Sequence, residues 1–224
     1  NRSGVPLMEL VTEPDIASSE EAKKFCEQLQ LILRYIGISD ADMEKGQMRC
    51  EANISISASN KMGTKVEVKN LNSFKVVEKA IEYEIKRQAE LLDEGKEIVQ
   101  ETRGWDEGKM VTFSQREKES AHDYRYFPEP DLPTLEIGED FVEKLRAELP
   151  ELPTQKAKRF TEEYKISDYD AEVLVRDKKL SEFFEESVSE AMASDGNREK
   201  IAKLTVNYIL TEIRKYLDEK TTIS

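Results

Sequence analysis

The chain has 224 residues, enough for one large or two modest domains, with a formal charge of −13 and 36% charged residues. That balance excludes a broad basic surface gripping nucleic acid through phosphates alone. No apolar run nears membrane-spanning length and no secretory signal is read, so a cytoplasmic protein with no membrane partner is expected.

The opening stretch places Gly4 and Pro6 at a bend, followed by the short apolar run Leu7–Val11. This run reads as a buried strand, and Glu9 within it is a costly carboxylate that needs a reason. The first helix is clear. Ser18 and Glu21 form a capping box, Ala22, Phe25, Cys26, Leu29, Ile32, Leu33 and Ile36 share one face, and Gly37 closes it.

Two strands follow. Residues 48–57 alternate, with Met48, Cys50, Ala52, Ile54 and Ile56 on one side and Arg49, Glu51, Asn53, Ser55 and Ser57 on the other. Residues 64–70 set Val66 and Val68 opposite Lys65, Glu67 and Lys69, and the loop 58–63 makes an antiparallel hairpin the natural pairing. A second long helix spans about Ser73 to Glu94, with a stripe of Phe74, Val77, Ile81, Ile85 and Leu92 and Gly95 just beyond. Further strands are predicted at 97–103 and 109–114. Prolines 128, 130 and 133 then preclude helix and imply an extended crossing.

Beyond residue 139 the pattern is helical. Pro153 suits a first turn, Ser167 with Asp170 caps the next helix, and Ile201, Leu204, Tyr208 and Leu217 stripe a last one from Arg198. The expected fold class is α+β, a mainly antiparallel sheet with flanking helices followed by an all-helical domain, with domains at 1–138 and 139–224.

The hairpin is the first candidate site. Period-two geometry collects Arg49, Glu51, Asn53 and Ser55 beside Lys65, Glu67 and Lys69. Such carboxylates can hold Mg²⁺, and the cations can neutralise phosphate; a plain solvated sheet face with cross-strand ion pairs explains the same pattern. The second candidate is 116–127, where cations alternate with aromatics around His122 and Asp123; this suits stacking and phosphate contact, or a loop whose aromatics pack inward.

Other features read as structure. Trp105 and Phe183–Phe184 are packing anchors, Glu182, Glu185, Glu186 and Glu190 are solvated helix surface, and Cys26 and Cys50 are reduced, buried thiols. Two cysteines without ligand spacing and a single histidine exclude a zinc site and a serine- or cysteine-type triad. No Walker-type loop or dinucleotide fingerprint is present.

Four blocks then point to one family. They are Asn1–Pro14 (NRSGVPLMELVTEP), Gln47–Ser55 (QMRCEANIS), Val66–Phe74 (VEVKNLNSF) and His122–Leu132 (HDYRYFPEPDL). Together, in this order, they resemble the B subunit of the tRNA-dependent amidotransferase. The resemblance implies a protein that uses ATP and Mg²⁺ to phosphorylate the side-chain carboxylate of misacylated Glu-tRNA(Gln) or Asp-tRNA(Asn). Ammonia released from glutamine then displaces phosphate. The implied partners are the amidase subunit of the same enzyme, its small third subunit and the misacylated tRNA.

By motif, Glu9, Glu51 and Glu67 are the implied catalytic and metal-binding acids, with Arg49, Lys69 and Asn70 as cofactor-binding neighbours. Glu51 stands where the family more often has aspartate. The family's N-terminal part and its tail domain are not matched, so an internal fragment, inactive alone, is expected. An archaeal paralogue specific for Glu-tRNA(Gln), or a non-catalytic RNA-binding or assembly module, are the alternatives.

Overall fold

The structure, a computed structural model, describes residues 4–59, 61–117, 130–193 and 196–213. These divide into two units, one of Asn1–Gln30 and Ala41–Glu129, the other of Leu31–Asp40 and Pro130–Ser224.

The first unit is built on helix α1 (Ser19–Tyr35), whose residues from Leu31 onward belong to the second unit, strands β1 (Cys50–Ile54) and β2 (Val66–Leu71), helix α2 (Phe74–Asp93), and strands β3 (Glu101–Asp106) and β4 (Val111–Glu117). Ser18 starts α1 as its spacing with Glu21 requires. Its hydroxyl accepts from the Glu21 amide at 3.1 Å, and the Glu21 carboxylate accepts from the Ala17 amide at 2.8 Å. Ser73 starts α2 by accepting from the Val76 amide, and Gly95, at φ 73°, supplies the left-handed residue that ends it.

The strands form one sheet in the order β1-β2-β3-β4. The β1–β2 and β3–β4 pairings are antiparallel and β2–β3 is parallel, with α2 as the crossover between the parallel strands. Gly63 lies so close to the Ile56 carbonyl in the hairpin loop that a side-chain carbon there would overlap it.

The core of this unit joins Ile54, Val68 and Leu71 of the sheet to Val76, Val77, Ala80 and Ile81 of α2, with Trp105 alongside. Trp105 is the expected packing anchor, edge-on to Tyr83 at 6.3 Å. Cys26 and Cys50 are free, half-buried thiols against the same core.

Three expectations about this unit need correction. Leu7–Val11 is not a strand: the segment is extended coil and Leu7 is 93% exposed. No described strand pairs with it, so its backbone gains no ladder to hold it in the sheet. Phe25 and Leu92 lie exposed rather than on buried stripes. In α2 the buried positions of the last turns go instead to Glu84 and Gln88, because arginines and strand backbone there need polar partners.

The second unit holds α3 (Glu139–Glu148), α4 (Pro153–Tyr164), α5 (Asp168–Val175), α6 (Lys178–Met192), α7 (Arg198–Tyr208) and a π-helical turn at Ile209–Ile213. Pro153 opens α4, and the Ser167 hydroxyl caps α5 by accepting from the Asp170 amide at 3.1 Å. Phe160, Tyr164 and Phe184 form a ring cluster with centroids 5.1–5.5 Å apart.

Tyr35 adds a buried hydroxyl to this unit, donating to the Val175 carbonyl at 2.8 Å; burial pushes its phenol up to about 12. Two stripe assignments differ here. Leu204 and Tyr208 are exposed, and Ala202, Val206 and Ile209 take the inner positions beside Ile201, because helical spacing puts these four on one face with Leu204 turned away from it; Leu217 lies outside the described residues. Glu185 is not plain solvated surface: it pairs with Lys156 at 2.8 Å and Arg159 at 2.7 Å. Among the described residues, no helix is long and apolar enough to cross a membrane.

Candidate functional site

The hairpin face gains its geometry from a break in the ladder. Cys50 pairs with Leu71 and Ala52 with Val68, so the single residue Glu51 lies opposite two, Lys69 and Asn70. This is a β-bulge, a device that re-aims side chains beside functional sites. Asn70 carries the left-handed backbone the bulge needs, at φ 64°, a region asparagine enters more readily than most residues.

The bulge sets Lys69 between two carboxylates. Its ammonium donates to Glu51 Oε2 at 3.0 Å and stands 3.6 Å from Glu67 Oε1. The hydrogen bond to Glu51, outweighing partial burial, holds the Lys69 ammonium above the ordinary lysine range. Glu51 is 45% exposed at its side chain, Lys69 35% and Glu67 only 15%, so the cluster grades from open to half-buried.

A row runs across three strands at Glu67. Asn53 of β1 and Thr102 of β3 are its register partners on either side. The Thr102 hydroxyl donates to Glu67 Oε2 at 2.8 Å. Two residues further along β2, Lys69 is level with Gly104, and a side-chain carbon at Gly104 would sit 2.5 Å from Gln115 Nε2 and 2.7 Å from Phe113 Cζ. Glycine there leaves these two side chains room over the strand. Thr102, Phe113 and Gln115 are the residues of this face that the strand patterns did not single out; β3 read as plain sheet, and only its register with Glu67 reveals Thr102.

The remaining sequence-derived candidates fall elsewhere. Glu9 is exposed on the coil segment and makes no hydrogen bond or ion pair among the described residues. The expected trio of Glu9, Glu51 and Glu67 is therefore not brought together, because no ladder holds the strip carrying Glu9. Arg49 and Asn70 are exposed, and neither side chain is hydrogen-bonded among the described residues. His122 and Asp123, with most of the 116–127 segment, lie outside the described residues.

Among the described residues, no three His, Cys, Asp or Glu side chains gather as a metal cage. The pair Glu51 and Glu67 does match the habit of Mg²⁺, which takes one or two carboxylates and completes its shell with water and phosphate oxygens.

Residues 1–143 match the family model described as the GatB/GatE catalytic domain, a span that includes the whole sheet and the bulge. The chain belongs to the GatB/GatE catalytic-domain family. Relatives of the same kind extend the match beyond residue 143. A protein of Persephonella marina, named as the B subunit of an aspartyl/glutamyl-tRNA(Asn/Gln) amidotransferase, is 54% identical over 217 residues, covering 96% of this chain and 45% of that relative. Proteins of the same name from Thermodesulfovibrio yellowstonii and Thermotoga maritima are 49% and 48% identical over 222 residues, covering 98% of this chain and 45% and 44% of those relatives. The chain thus spans a little under half the length of the relatives it matches. In GatB/GatE terms, the Glu51–Lys69–Glu67 cluster lies inside the catalytic-domain match.

Proposed function

We propose that this chain supplies part of the catalytic centre of an ATP-dependent tRNA amidotransferase. The observation that carries the reading is the bulge-built cluster of Glu51, Lys69 and Glu67 within the catalytic-domain match. The names of the relatives support the substrate class, an aminoacyl ester of tRNA bearing a side-chain carboxylate.

In this reading the assembled enzyme transfers the terminal phosphoryl group of ATP to the side-chain carboxylate of Glu-tRNA(Gln) or Asp-tRNA(Asn). Ammonia from a partner amidase attacks the acyl carbon, phosphate leaves, and a proton is released as the amide forms. A small third protein completes the assembly. Glu51 and Glu67 are the groups that would hold Mg²⁺. The ion, when bound, neutralises phosphate oxygens. Lys69, carrying a strongly held proton, adds a second positive charge against phosphate. Glu67, the more buried acid, keeps a fixed orientation while Glu51 stays accessible to solvent.

The test uses the full-length protein in its assembled enzyme. Glu67→Gln and Lys69→Met are each expected to lower amide formation on misacylated tRNA by roughly 100-fold. Glutamine hydrolysis by the partner should persist. Unchanged amide formation in both variants would overturn the assignment and favour a non-catalytic module.

A further inference from the structure

We infer that Thr102 is a positioning residue for the proposed reaction, fixing the Glu67 carboxylate through its hydroxyl. The inference rests on the reading of Glu67 as a site acid. Thr102 is 4% exposed and sits in β3, flanked by β2 on one side and β4 on the other. Its β-branched side chain has little rotamer freedom, so the hydroxyl is a rigid donor. Glu67 and Thr102 are direct partners in the parallel β2–β3 ladder, which sets both side chains on the same sheet face.

The two oxygens of Glu67 are thereby distinguished. Oε2 accepts from Thr102 at 2.8 Å, and Oε1 faces the Lys69 ammonium at 3.6 Å. The Lys69 end is adaptable, since that long side chain is shared with Glu51 and partly open to water. The Thr102 end is not. A carboxylate held at one oxygen by a buried strand hydroxyl presents its other oxygen in a constant direction. That is what an acid needs if it is to meet a transient charge without first reorganising.

Valine matches threonine in shape, so removing the hydroxyl alone keeps the volume packed in β3. Glu67 keeps contact with solvent, so water can replace the lost donor without leaving a fully buried acceptor unpaired. A structural role and a positioning role consequently give different results.

The experiment measures amide formation by the assembled full-length enzyme carrying Thr102→Val, Thr102→Ser or Glu67→Gln, with thermal unfolding recorded for each. Thr102→Val keeps the shape and removes the donor. It is expected to lower kcat about 10- to 100-fold, with KM for misacylated tRNA within about twofold of wild type. Thr102→Ser, which keeps the hydroxyl, should recover most of the rate.

If Thr102→Val does not assemble, Thr102→Cys, of serine's size with a weak donor, takes its place against Thr102→Ser. Wild-type kcat in Thr102→Val alongside an impaired Glu67→Gln overturns the positioning role and leaves the Glu67 assignment standing. Full activity in Glu67→Gln overturns that assignment itself. Equal losses in the valine and serine variants, matched by equal falls in unfolding temperature, show a packing role and also overturn the inference.

Discussion

Among the described residues, each face of the sheet carries a carboxylate–cation cluster, and the two behave as different kinds of object. On the α2 side, Glu84 is fully buried and takes a two-nitrogen hydrogen bond from Arg87, with Arg103 at 3.6 Å, the Thr112 hydroxyl at 3.0 Å and Gln88 at 3.0 Å. Gln88 also ties down β1, donating to the Ile54 carbonyl and accepting from the Ile56 amide. On the bulge side, Glu51 and Glu67 both face the Lys69 ammonium and remain partly open. The residue types are nearly the same. Burial and saturation of hydrogen bonds make one cluster a fastening for the sheet, while solvent access leaves the other available for chemistry.

The strongest way to break this contrast is Glu84→Ala. Removing the buried acid takes from Arg87 its hydrogen-bonded carboxylate and from Arg103 one of its two acidic neighbours, and about 3–5 kcal/mol of stability should be lost in urea unfolding. A loss below about 1 kcal/mol would show that the inner cluster is no fastening.

The acid side of the stability profile sharpens the same point. Glu101 is buried beside Arg103; burial acts to raise its carboxyl, and hydrogen bonds from Ser114 and Arg103 outweigh that and hold it below the usual 4.5. Its contribution is therefore present above pH 4.5 and is lost as pH falls through the lower folded value. Unfolding measured from about pH 6 down to about pH 3, the range where carboxylates titrate, should show a shallower decline in Glu101→Gln than in wild type.

The smallest structural effect belongs to the outer cluster. Lys69→Met should change stability by less than about 1 kcal/mol, and Glu51→Gln by less still, with the difference shrinking in salt. On the function proposed above, the same Lys69 change should nevertheless lower amide formation by roughly 100-fold, as Glu67→Gln should. A lysine that proved important to stability and neutral to turnover would invert the comparison.

Much of this was legible in the chain. The Ser18–Glu21 and Ser73 caps, the Gly37 and Gly95 stops and the alternation through 48–57 and 64–70 are short-range signals that local backbone chemistry enforces, and the helices and hairpin follow them closely. Glu51, Glu67 and Lys69 were legible as neighbours because strand alternation puts them on one face. Thr102 was not, since its place depends on a parallel pairing across a helical crossover. Glu84 and Gln88 were hidden for a related reason: they fall seven residues after Val77 and Ile81, on the apolar side of α2, where a polar side chain is not expected to be buried, and only the arginines of β3 and α2 make that burial favourable. Glu9 shows the reverse error. An apolar run suggested a strand, but a strand exists only where a neighbour supplies its hydrogen bonds.

By itself, then, the sequence determined the helix ends, the hairpin and its polar face, and the family blocks, all set by interactions within a few residues or by period-two geometry. Tertiary structure decided the bulge that turns Lys69 onto two acids, the register that brings Thr102 to Glu67, and which acids are sealed beneath the sheet. Those depend on strand pairing and on the desolvation of charge, which involve residues tens of positions apart and which no local pattern encodes.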